Sequence, residues 1–335
     1  MSDVPALQLR RMINGYQVSQ AIYVAAMLGV ADLLAGGPQT SDELAEAADA
    51  HPDSLYRLLR ALAAAGVVRE EDGRSFALTP LGELLRTDVD GSLAGWAAFV
   101  GRPYHWESWA NLLHSVQTGE NAFHHLHGRN VWEFREEHPE EGAIFDRAMT
   151  SLTGGMTEAL LESYDFGRFG TVVDVGGGNG ALLAALLKKH PQMQGVLFDD
   201  PGVVSGAEGL LRELGVVERC ELVGGSFFEA VPEGGDAYML KSVIHDWEDE
   251  DSVRILRVCR DAMRTNATLL VLEWDLGPPN AVAGPKFSDL NMLVAPGGRE
   301  RTVDEYRALF EAAGFSLEGV APDATGRFVL EGKPA

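Results

Sequence analysis

The spacing of hydrophobic residues changes near residue 168. After that point, short apolar and β-branched runs alternate with longer stretches of helix-forming residues, a pattern typical of strand–helix–strand units with a parallel sheet. This pattern predicts strands at Thr171–Val175, Gly195–Asp199, Arg219–Val223, Asp236–Ser242, Thr268–Glu273, Phe315–Val320 and Arg327–Glu331. The predicted fold class is therefore α/β, with a doubly wound, mostly parallel sheet.

The first hundred residues show helical periodicity and a small hairpin. Apolar residues are frequent up to a glycine–proline turn at 36–38, and Thr40 precedes two acidic residues as the N-cap of a helix does. A further helix follows His51 and carries leucines on one face, at positions 55, 58, 59 and 62. Residues 66–80 predict two short strands around a turn. Helices followed by such a hairpin indicate a winged-helix domain.

The net charge narrows the classes of partner. The chain has 27 Lys and Arg residues against 50 Asp and Glu residues, a formal charge of −23. No basic field is available to replace the counterions of a nucleic acid, and the expected recognition helix carries only Arg57 and Arg60. We therefore expect no nucleic-acid or membrane partner, and a winged helix that serves in subunit pairing or packing.

Metal sites and targeting segments are not expected either. Cys220 and Cys259 lack the spacing of a zinc site or a disulfide framework. His124, His125 and His127 resemble a metal cluster, but no carboxylate or cysteine has a matching spacing, so no metal is predicted. The first residues lack a signal-peptide pattern, and no apolar run is long enough to span a membrane. We expect a cytoplasmic protein.

A glycine cluster lies between the first predicted strand and a helix of strong helix formers. Gly176, Gly178 and Gly180 permit a tight turn and a close approach of the backbone to a nucleotide. Asp174 lies two residues before the first of them. A carboxylate is unsuited to a pyrophosphate but suited to a cationic or hydroxyl-bearing ligand, which favours S-adenosylmethionine over NAD.

Asp199 ends the second predicted strand, about twenty residues beyond the glycines, where a carboxylate can accept both ribose hydroxyls of either cofactor. The alternative is that Asp199 caps the helix that begins near Pro201. Asp200 is better placed for that cap.

His245 and Asp246 follow the fourth predicted strand, at the sheet edge where ligands bind in open α/β folds. A histidine with a pKa near neutrality is a suitable general base for a phenolic hydroxyl. Asp246 is equally suited to cap the helix predicted at Glu248–Met263. Glu273 and Glu300 are both candidates to accept the imidazole Nδ1–H, as the acid of a catalytic triad does. A solvated Glu300 among arginines is the alternative.

These motifs, in this order, resemble the S-adenosylmethionine-dependent O-methyltransferases of the caffeate and hydroxyindole type, including bacterial members that act on aromatic natural products. The resemblance covers nearly the whole chain. It implies a Rossmann-like methyltransferase sheet and an N-terminal, mainly helical winged-helix domain that forms a homodimer. The residues that carry it are Asp174–Gly180, Phe198, Asp199, Gly224, Gly225, Lys241, His245–Trp247 and Gly297–Thr302.

The resemblance also implies roles for the cofactor site. Gly176 and its neighbours, among them Asp174 and Gly178, would face the methionine moiety, and Asp199 would bind the ribose. Ser226 and Phe227 would flank the adenine, with Lys241 close to the cofactor. The family commonly has an acidic residue in place of Ser226, so adenine recognition is expected to differ here.

The same resemblance makes His245 the catalytic base, with Glu273 and Glu300 as the acids that bracket it. It implies a dimerisation domain at 1–100, a helical linker and substrate-pocket region at 101–165, and a cofactor-binding domain at 166–335. Ala295 replaces a polar substrate contact of plant members, so a plant phenylpropanoid specificity is not implied.

Residues 90–165 hold most of the tryptophans and histidines. Their aromatic side chains fit either a pocket for a flat ligand or an ordinary core. We expect a small aromatic, phenolic acceptor, with a polyketide-type compound among the candidates. A nicotinamide-dependent oxidoreductase and a non-enzymatic, ligand-sensing winged-helix regulator are the alternatives.

Overall fold

The computed structural model describes residues 4–281, 283–323 and 326–335, with the backbone alone for residues 153–156. The chain forms two compact units. One extends to Glu107 and includes His138–Gly155, and the other consists of Ser108–Glu137 and Met156–Ala335. The sequence-based division into three regions, with boundaries at residues 100 and 165, also assigns a function to each region. This division stays a prediction.

The first unit contains short helices and a small antiparallel sheet. Its strands β1 (Gln39–Thr40), β2 (Val68–Glu71) and β3 (Ser75–Leu78) pair in the order β1-β3-β2. The predicted hairpin is therefore present, whereas the winged-helix assignment stays a prediction. The helices up to residue 110 are α1 (Pro5–Ile13), α2 (Gly15–Met27), α3 (Val30–Leu33), α4 (Ser41–Ala47), α5 (Pro52–Ala64), α6 (Pro80–Glu83), α7 (Ala94–Val100) and α8 (Pro103–Ala110).

Two local predictions in this unit are confirmed. Thr40 caps α4, since its hydroxyl accepts the N–H of Glu43 while the Glu43 carboxylate accepts the N–H of Thr40. On α5, Leu55, Leu59 and Leu62 are buried together. The apolar face of α5 thus packs into the core, as its spacing predicts.

The second unit is built on a seven-stranded sheet. Its strands are β4 (Thr171–Val175), β5 (Gln194–Asp199), β6 (Cys220–Gly224), β7 (Ala237–Lys241), β8 (Thr268–Trp274), β9 (Phe315–Pro322) and β10 (Arg327–Pro334). The helices after residue 110 are α9 (Leu112–Thr118), α10 (Ala122–His127), α11 (Val131–Glu137), α12 (Pro139–Ser163), α13 (Ala181–Lys189), α14 (Pro201–Glu213), α15 (Asp249–Ala262), α16 (Ala283–Val294) and α17 (Val303–Ala313). Helix α12 belongs to the first unit up to Gly155 and to the second unit from Met156. Each strand predicted from the sequence is found, with its ends shifted by at most three residues.

The strand order is β6-β5-β4-β7-β8-β10-β9. Strands β4 to β8 are parallel, and β10 is antiparallel to both of its neighbours. The order reverses at β4, whose neighbours are β5 and β7, and ligands of doubly wound folds bind at such a switch point. The predicted α/β fold class is therefore confirmed.

Both faces of this sheet are covered by apolar side chains. Val173 and Val175 belong to one buried cluster, and Val172 belongs to the other. Strands buried on both faces consist of continuous apolar residues, which explains why they were recognisable in the sequence. Asp174 is the charged exception on β4 and is only 2% exposed.

Among the described residues, no single helix is long and apolar enough to cross a membrane. One bent pair, Gly15–Met27 with Val30–Gly36, meets the length and composition test only when its two parts are taken together.

Candidate active site

The loop after β4 presents main-chain atoms at the carboxyl edge of the sheet. Gly176 and Gly178 have φ angles of +70° and +61°, in the left-handed region that favours glycine. The N–H of Gly176 donates to the carbonyl of Phe198 at 2.8 Å, which fixes the loop to β5. A Cβ atom at Gly178 would meet no non-neighbouring atom of the described residues within 4 Å. The loop therefore has room for a ligand close to its backbone.

Asp199 ties the end of β5 to this loop. Its carboxylate accepts the N–H of Gly178 at 2.8 Å and the N–H of Asp200 at 2.7 Å. Each carboxylate oxygen keeps a lone pair for a hydroxyl donor after these bonds. Asp200 caps α14, because its side chain accepts the N–H of Gly202 at 2.8 Å. The alternative that Asp199 is the helix cap is therefore wrong.

Asp174 and Lys241 carry opposite charges on the adjacent strands β4 and β7. Burial raises the pKa of Asp174 to about 7, although the charge of Lys241 acts in the opposite direction. Burial also lowers the pKa of Lys241 to about 8, and the nearby Arg327 lowers it further. Because burial is the main cause of both shifts, a charged ligand beside this pair would change both pKa values.

Ser226 and Phe227 follow β6. The Phe227 ring lies 5.1 Å from the ring of Phe228 and 5.9 Å from that of Trp247, between centroids. A Cβ atom at Gly176 would be 3.7 Å from the Phe227 ring, so this ring borders the glycine loop. Ser226 is exposed, and its hydroxyl accepts the N–H of Phe228 at 3.3 Å. An apolar ring and a small polar side chain thus flank the same end of the loop.

His245 lies in a 3-10 turn, Ile244–Asp246, that follows β7. Its Nδ1 atom is 3.0 Å from Oε1 of Glu300 and 3.5 Å from Oε2 of Glu273. The hydroxyl of Ser288 donates to the same oxygen of Glu300 at 2.6 Å. The three residues predicted from the sequence therefore lie together, and Glu300 is the one within hydrogen-bond distance of Nδ1.

Glu273 holds the backbone of this turn. Its Oε1 atom lies 3.2, 3.0 and 3.3 Å from the N–H nitrogens of Val243, Ile244 and His245, which donate to it. Glu273 is fully buried, so these amides have no access to water in its place. A carboxylate at the end of β8 thus fixes the segment that carries the histidine.

The charges around His245 decide its protonation state. Burial is the largest single effect and lowers the pKa of His245. The combined attraction of the surrounding carboxylates outweighs burial and raises this pKa to about 10. These carboxylates are Glu273, Glu300 and Asp246. The sequence-based expectation that His245 has a pKa near neutrality is therefore not met. That expectation did not include the carboxylates buried around the imidazole.

Asp246 does not cap the helix that follows it. Helix α15 begins at Asp249, and Glu248 is the residue at its N-cap position. Asp246 instead places its Oδ1 atom 3.6 Å from Nε2 of His245. Burial raises the pKa of Asp246 to about 7, so its carboxyl group is partly protonated at neutral pH. The capping alternative is wrong because Asp246 belongs to the 3-10 turn, and helix α15 begins only at Asp249.

The alternative of a solvated Glu300 is also wrong, since Glu300 is 3% exposed. Its neighbour Arg301 is 1% exposed and donates to the carbonyls of Ile244 and Trp247 at 3.1 and 2.8 Å. At Gly298, an added Cβ would lie 2.2 Å from the carbonyl oxygen of His245. Sequence reasoning missed Ser288, and it named Gly298 and Arg301 only as part of the Gly297–Thr302 motif, without their role in joining this loop to the histidine turn. The paired glycines at 297 and 298 were the available signal.

In the part of the chain that the structure describes, His245, Glu273 and Glu300 are close enough to share a metal ion. Hydrogen bonds from the backbone amides to Glu273 and from Ser288 to Glu300 already account for this arrangement. The expected absence of a metal stays a prediction.

Comparison with known families identifies the enzyme class. The profile of the O-methyltransferase domain matches residues 109–316, and that of the O-methyltransferase dimerisation domain matches residues 10–88. The first match alone covers more than half of the chain. The chain belongs to the O-methyltransferase family. The predicted class is confirmed, and the alternatives of an oxidoreductase and of a non-enzymatic regulator have no support from this family.

Individual O-methyltransferases are similar over nearly their full length. The phenazine O-methyltransferase PhzM of Lysobacter antibioticus is 43% identical, over 97% of this chain and 95% of its own. The crystal structure of LaPhzM has a TM-score of 0.96 and 42% identity, with 99% and 100% of the two chains covered. The O-methyltransferase NcsB1 from neocarzinostatin biosynthesis, in complex with S-adenosylmethionine and 2-hydroxy-5-methyl naphthoic acid, has a TM-score of 0.82, 36% identity and coverage of 95% and 96%.

Proposed function

We propose that this O-methyltransferase transfers the methyl group of S-adenosylmethionine to a hydroxyl of a small, planar phenol, with His245 as the general base. The observation that carries the proposal is the buried imidazole whose Nδ1 is 3.0 Å from a carboxylate of Glu300. With Nδ1 engaged in this way, Nε2 is the nitrogen available to take a proton. The aromatic substrates in the names of its relatives support a planar acceptor.

The residues of the glycine loop fit S-adenosylmethionine. Gly176 and Gly178 provide a backbone that a ligand can approach, and Asp199 has lone pairs left for ribose hydroxyls. The protonation states of Asp174 and Lys241 would adjust to the charges of the cofactor's amino-acid moiety. Ser226 and Phe227 would border the adenine, the latter with its ring. Bound there, the cofactor supplies an electrophilic methyl group on a positively charged sulfur.

The remaining residues prepare the acceptor hydroxyl. A phenol has a pKa of about 10, so it is largely protonated at neutral pH and gains nucleophilicity when Nε2 of His245 removes its proton. Glu300 fixes the ring orientation and stabilises the resulting imidazolium, and Glu273 holds the backbone of the turn. Alignment of the acceptor with the methyl group supplies much of the remaining rate enhancement.

The rate is expected to rise with pH across the neutral range. His245 acts as a base only when neutral, and its pKa is raised to about 10, so raising the pH from 6 increases the active fraction. A cation bound in the same pocket disfavours the imidazolium, and we therefore expect a midpoint below 10 with the cofactor present. The measurement is kcat/KM for the acceptor against pH at saturating cofactor. The rise should disappear in His245→Asn, and a wild-type profile that is flat from pH 6 to 9 contradicts the assignment.

Cofactor binding should depend on Asp199. S-adenosylhomocysteine at 100 times its Kd would stabilise the wild type by about 2.7 kcal/mol, which is measurable as a rise in Tm. Asp199→Ala removes charged hydrogen-bond acceptors worth about 1.5–3 kcal/mol, so binding should weaken at least about tenfold. Asp200→Ala is the control, because it removes only a helix cap. An equal loss of binding in both variants, or a Tm rise with NAD, would count against this site.

We further propose that the protein is a homodimer formed through its N-terminal helices. Helix α1 and the start of α2 expose large apolar side chains, namely Leu9 (58%), Met12 (69%), Ile13 (66%) and Tyr16 (55%). An exposed apolar patch of this kind is typical of an interaction surface. The dimerisation domain matched at residues 10–88 supports a second copy of the chain as the partner.

The double variant Met12→Glu, Ile13→Glu is expected to convert the dimer to a monomer. Two charges at the centre of an apolar interface would be buried without partners, which costs several kcal/mol. Light scattering after size exclusion gives the mass of each variant. Val320→Glu, at an exposed apolar residue outside this domain, is the control and should stay dimeric. A double variant with the wild-type dimer mass would place the interface elsewhere.

The decisive test of the function is methyl transfer from labelled S-adenosylmethionine to pairs of planar acceptors that differ only in bearing a hydroxyl or an amino group. We expect product from the phenols and none from the matched anilines. Transfer to nitrogen alone, or to neither group by an enzyme that binds the cofactor, would overturn the proposed acceptor chemistry.

A further inference from the structure

A second group of ionisable side chains lies at the turn between α9 and α10, outside the site described above. We call it the His114 cluster and define it as His114, Glu120, His124 and His125. The carboxylate of Glu120 is 2.8 Å from Nε2 of His114, 3.6 Å from Nδ1 of His125 and 3.9 Å from Nδ1 of His124. Sequence reasoning recognised no carboxylate at a matching spacing, but the turn brings Glu120 and His114 together with His124 and His125. His127 packs against Phe123 instead.

The distances suit a single bound ion. Ligands held at about 2.1 Å from a tetrahedral metal lie about 3.4 Å from one another. The donor atoms of His114, Glu120 and His125 all lie within 4.8 Å of one another. The His114 and His125 rings stack with their centroids 3.7 Å apart, which keeps the two imidazoles side by side. Small side-chain rotations bring the three donors to one point, since each residue is partly exposed.

The backbone holds this turn in place. Gly119 ends α9 with a φ of +77°, and Asn121 caps α10 by accepting the N–H of His124 at 2.8 Å. The amide group of Asn121 also donates to the carbonyls of Leu293 and Ala295, at the end of α16, at 2.9 and 3.2 Å. Glu120 thus stands next to a residue anchored to another helix. The carboxylate has less conformational freedom to lose on binding than it would in an unrestrained loop.

The donor set selects the kind of ion. Two or three imidazole nitrogens with one carboxylate suit Zn²⁺, Ni²⁺, Co²⁺ or Cu²⁺, whereas Mg²⁺ and Ca²⁺ require oxygen ligands. Water can complete the coordination, because the cluster is open to solvent on one side. A chelate formed by twelve consecutive residues also has a small loop-closure cost.

We propose that His114, Glu120 and His125 form a binding site for one divalent transition-metal ion, preferentially Zn²⁺, with His124 as an additional ligand. A bound ion links α9 to α10 and thereby stiffens the turn that Asn121 docks onto α16. The site is separate from the His245 cluster, and methyl transfer does not require it.

The test uses the full-length protein without a polyhistidine tag, stripped with a chelator and titrated with ZnCl₂ at slightly alkaline pH, because protons compete with metal ions for the ligands. Calorimetry should give one Zn²⁺ per chain, and the Tm should rise by about 2 °C or more at saturation. Co²⁺ in place of Zn²⁺ should give the visible absorption of a nitrogen- and oxygen-ligated tetrahedral ion.

His125→Ala and Glu120→Gln should each weaken binding about tenfold or more, and the double variant should abolish it. Two controls should keep the ion: His138→Ala, which removes a partly exposed histidine 3.8 Å from the carboxylate of Glu140, and His245→Asn, which alters the other histidine–glutamate group. Circular dichroism shows whether each variant is folded. No ion bound to the wild type, equal binding in the double variant, or loss of the ion only in His245→Asn would overturn the proposal.

Discussion

Replacement of His245 with alanine is expected to lower kcat by about 10²–10⁴-fold, the usual contribution of a positioned general base. His245 is 9% exposed, and its imidazole is held between two buried glutamates. The residual activity would come from alignment of the acceptor with the methyl group.

A measurement of cofactor binding distinguishes the loss of the catalytic base from a general loss of folding in the His245 variant. The glycine loop follows β4 and Asp199 ends β5, and the hydrogen bonds that join them, from Gly178 to Asp199 and from Gly176 to Phe198, do not involve the imidazole. His245→Ala should therefore keep the wild-type rise in Tm with S-adenosylhomocysteine. His190→Ala, at the C-terminal end of α13, is a matched control that should keep both binding and turnover. Near-wild-type turnover in His245→Ala would reduce the histidine to a positioning residue.

Replacement of Glu273 with alanine is expected to produce the largest loss of stability among the site variants. Three backbone amides, of Val243, Ile244 and His245, would lose their acceptor in a buried position. Each unsatisfied donor costs about 1–3 kcal/mol, so a total of about 3 kcal/mol or more is expected even after partial relaxation. Activity should fall as well, because the released turn carries the histidine.

Glu273→Gln is the matched variant. Both substitutions remove the charge, but glutamine keeps an oxygen that can accept the three amides, so the difference between the two variants isolates the hydrogen bonds. Chemical unfolding followed by circular dichroism measures both. The loss of a negative charge should also lower the pKa of His245 in Glu273→Gln, shifting its rate profile to lower pH. Equal stability of the two variants would mean that the amides find other partners.

Local sequence signals located most of the elements correctly because those elements depend on neighbouring residues. The strands of the parallel sheet are continuous apolar runs, since side chains on both faces are buried. The position of His245 followed from the end of β7, because the carboxyl ends of parallel strands define one edge. The glycine loop was recognisable for a similar local reason, the left-handed backbone at Gly176 and Gly178.

The contacts between distant segments were beyond sequence reasoning. The choice between Glu273 and Glu300 as the partner of Nδ1 depends on how β8 and the loop after α16 meet the histidine turn. The pKa of His245 and the burial of Glu300 beside Arg301 depend on the same contacts between these segments. Glu120 and His114 likewise join the histidines of α10 only because Gly119 turns the chain between two helices.

By itself, the sequence determined the sheet, the glycine loop, the acidic and basic residues available for catalysis and, by resemblance, the family. These features are encoded by periodicity, glycine conformation and residue chemistry, which act over a few neighbouring positions. Only the tertiary structure decided which carboxylate bonds to which nitrogen, which aspartate caps a helix and how strongly each group holds its proton. Those properties vary with distance and burial, and folding sets both by bringing together residues that are far apart in the chain.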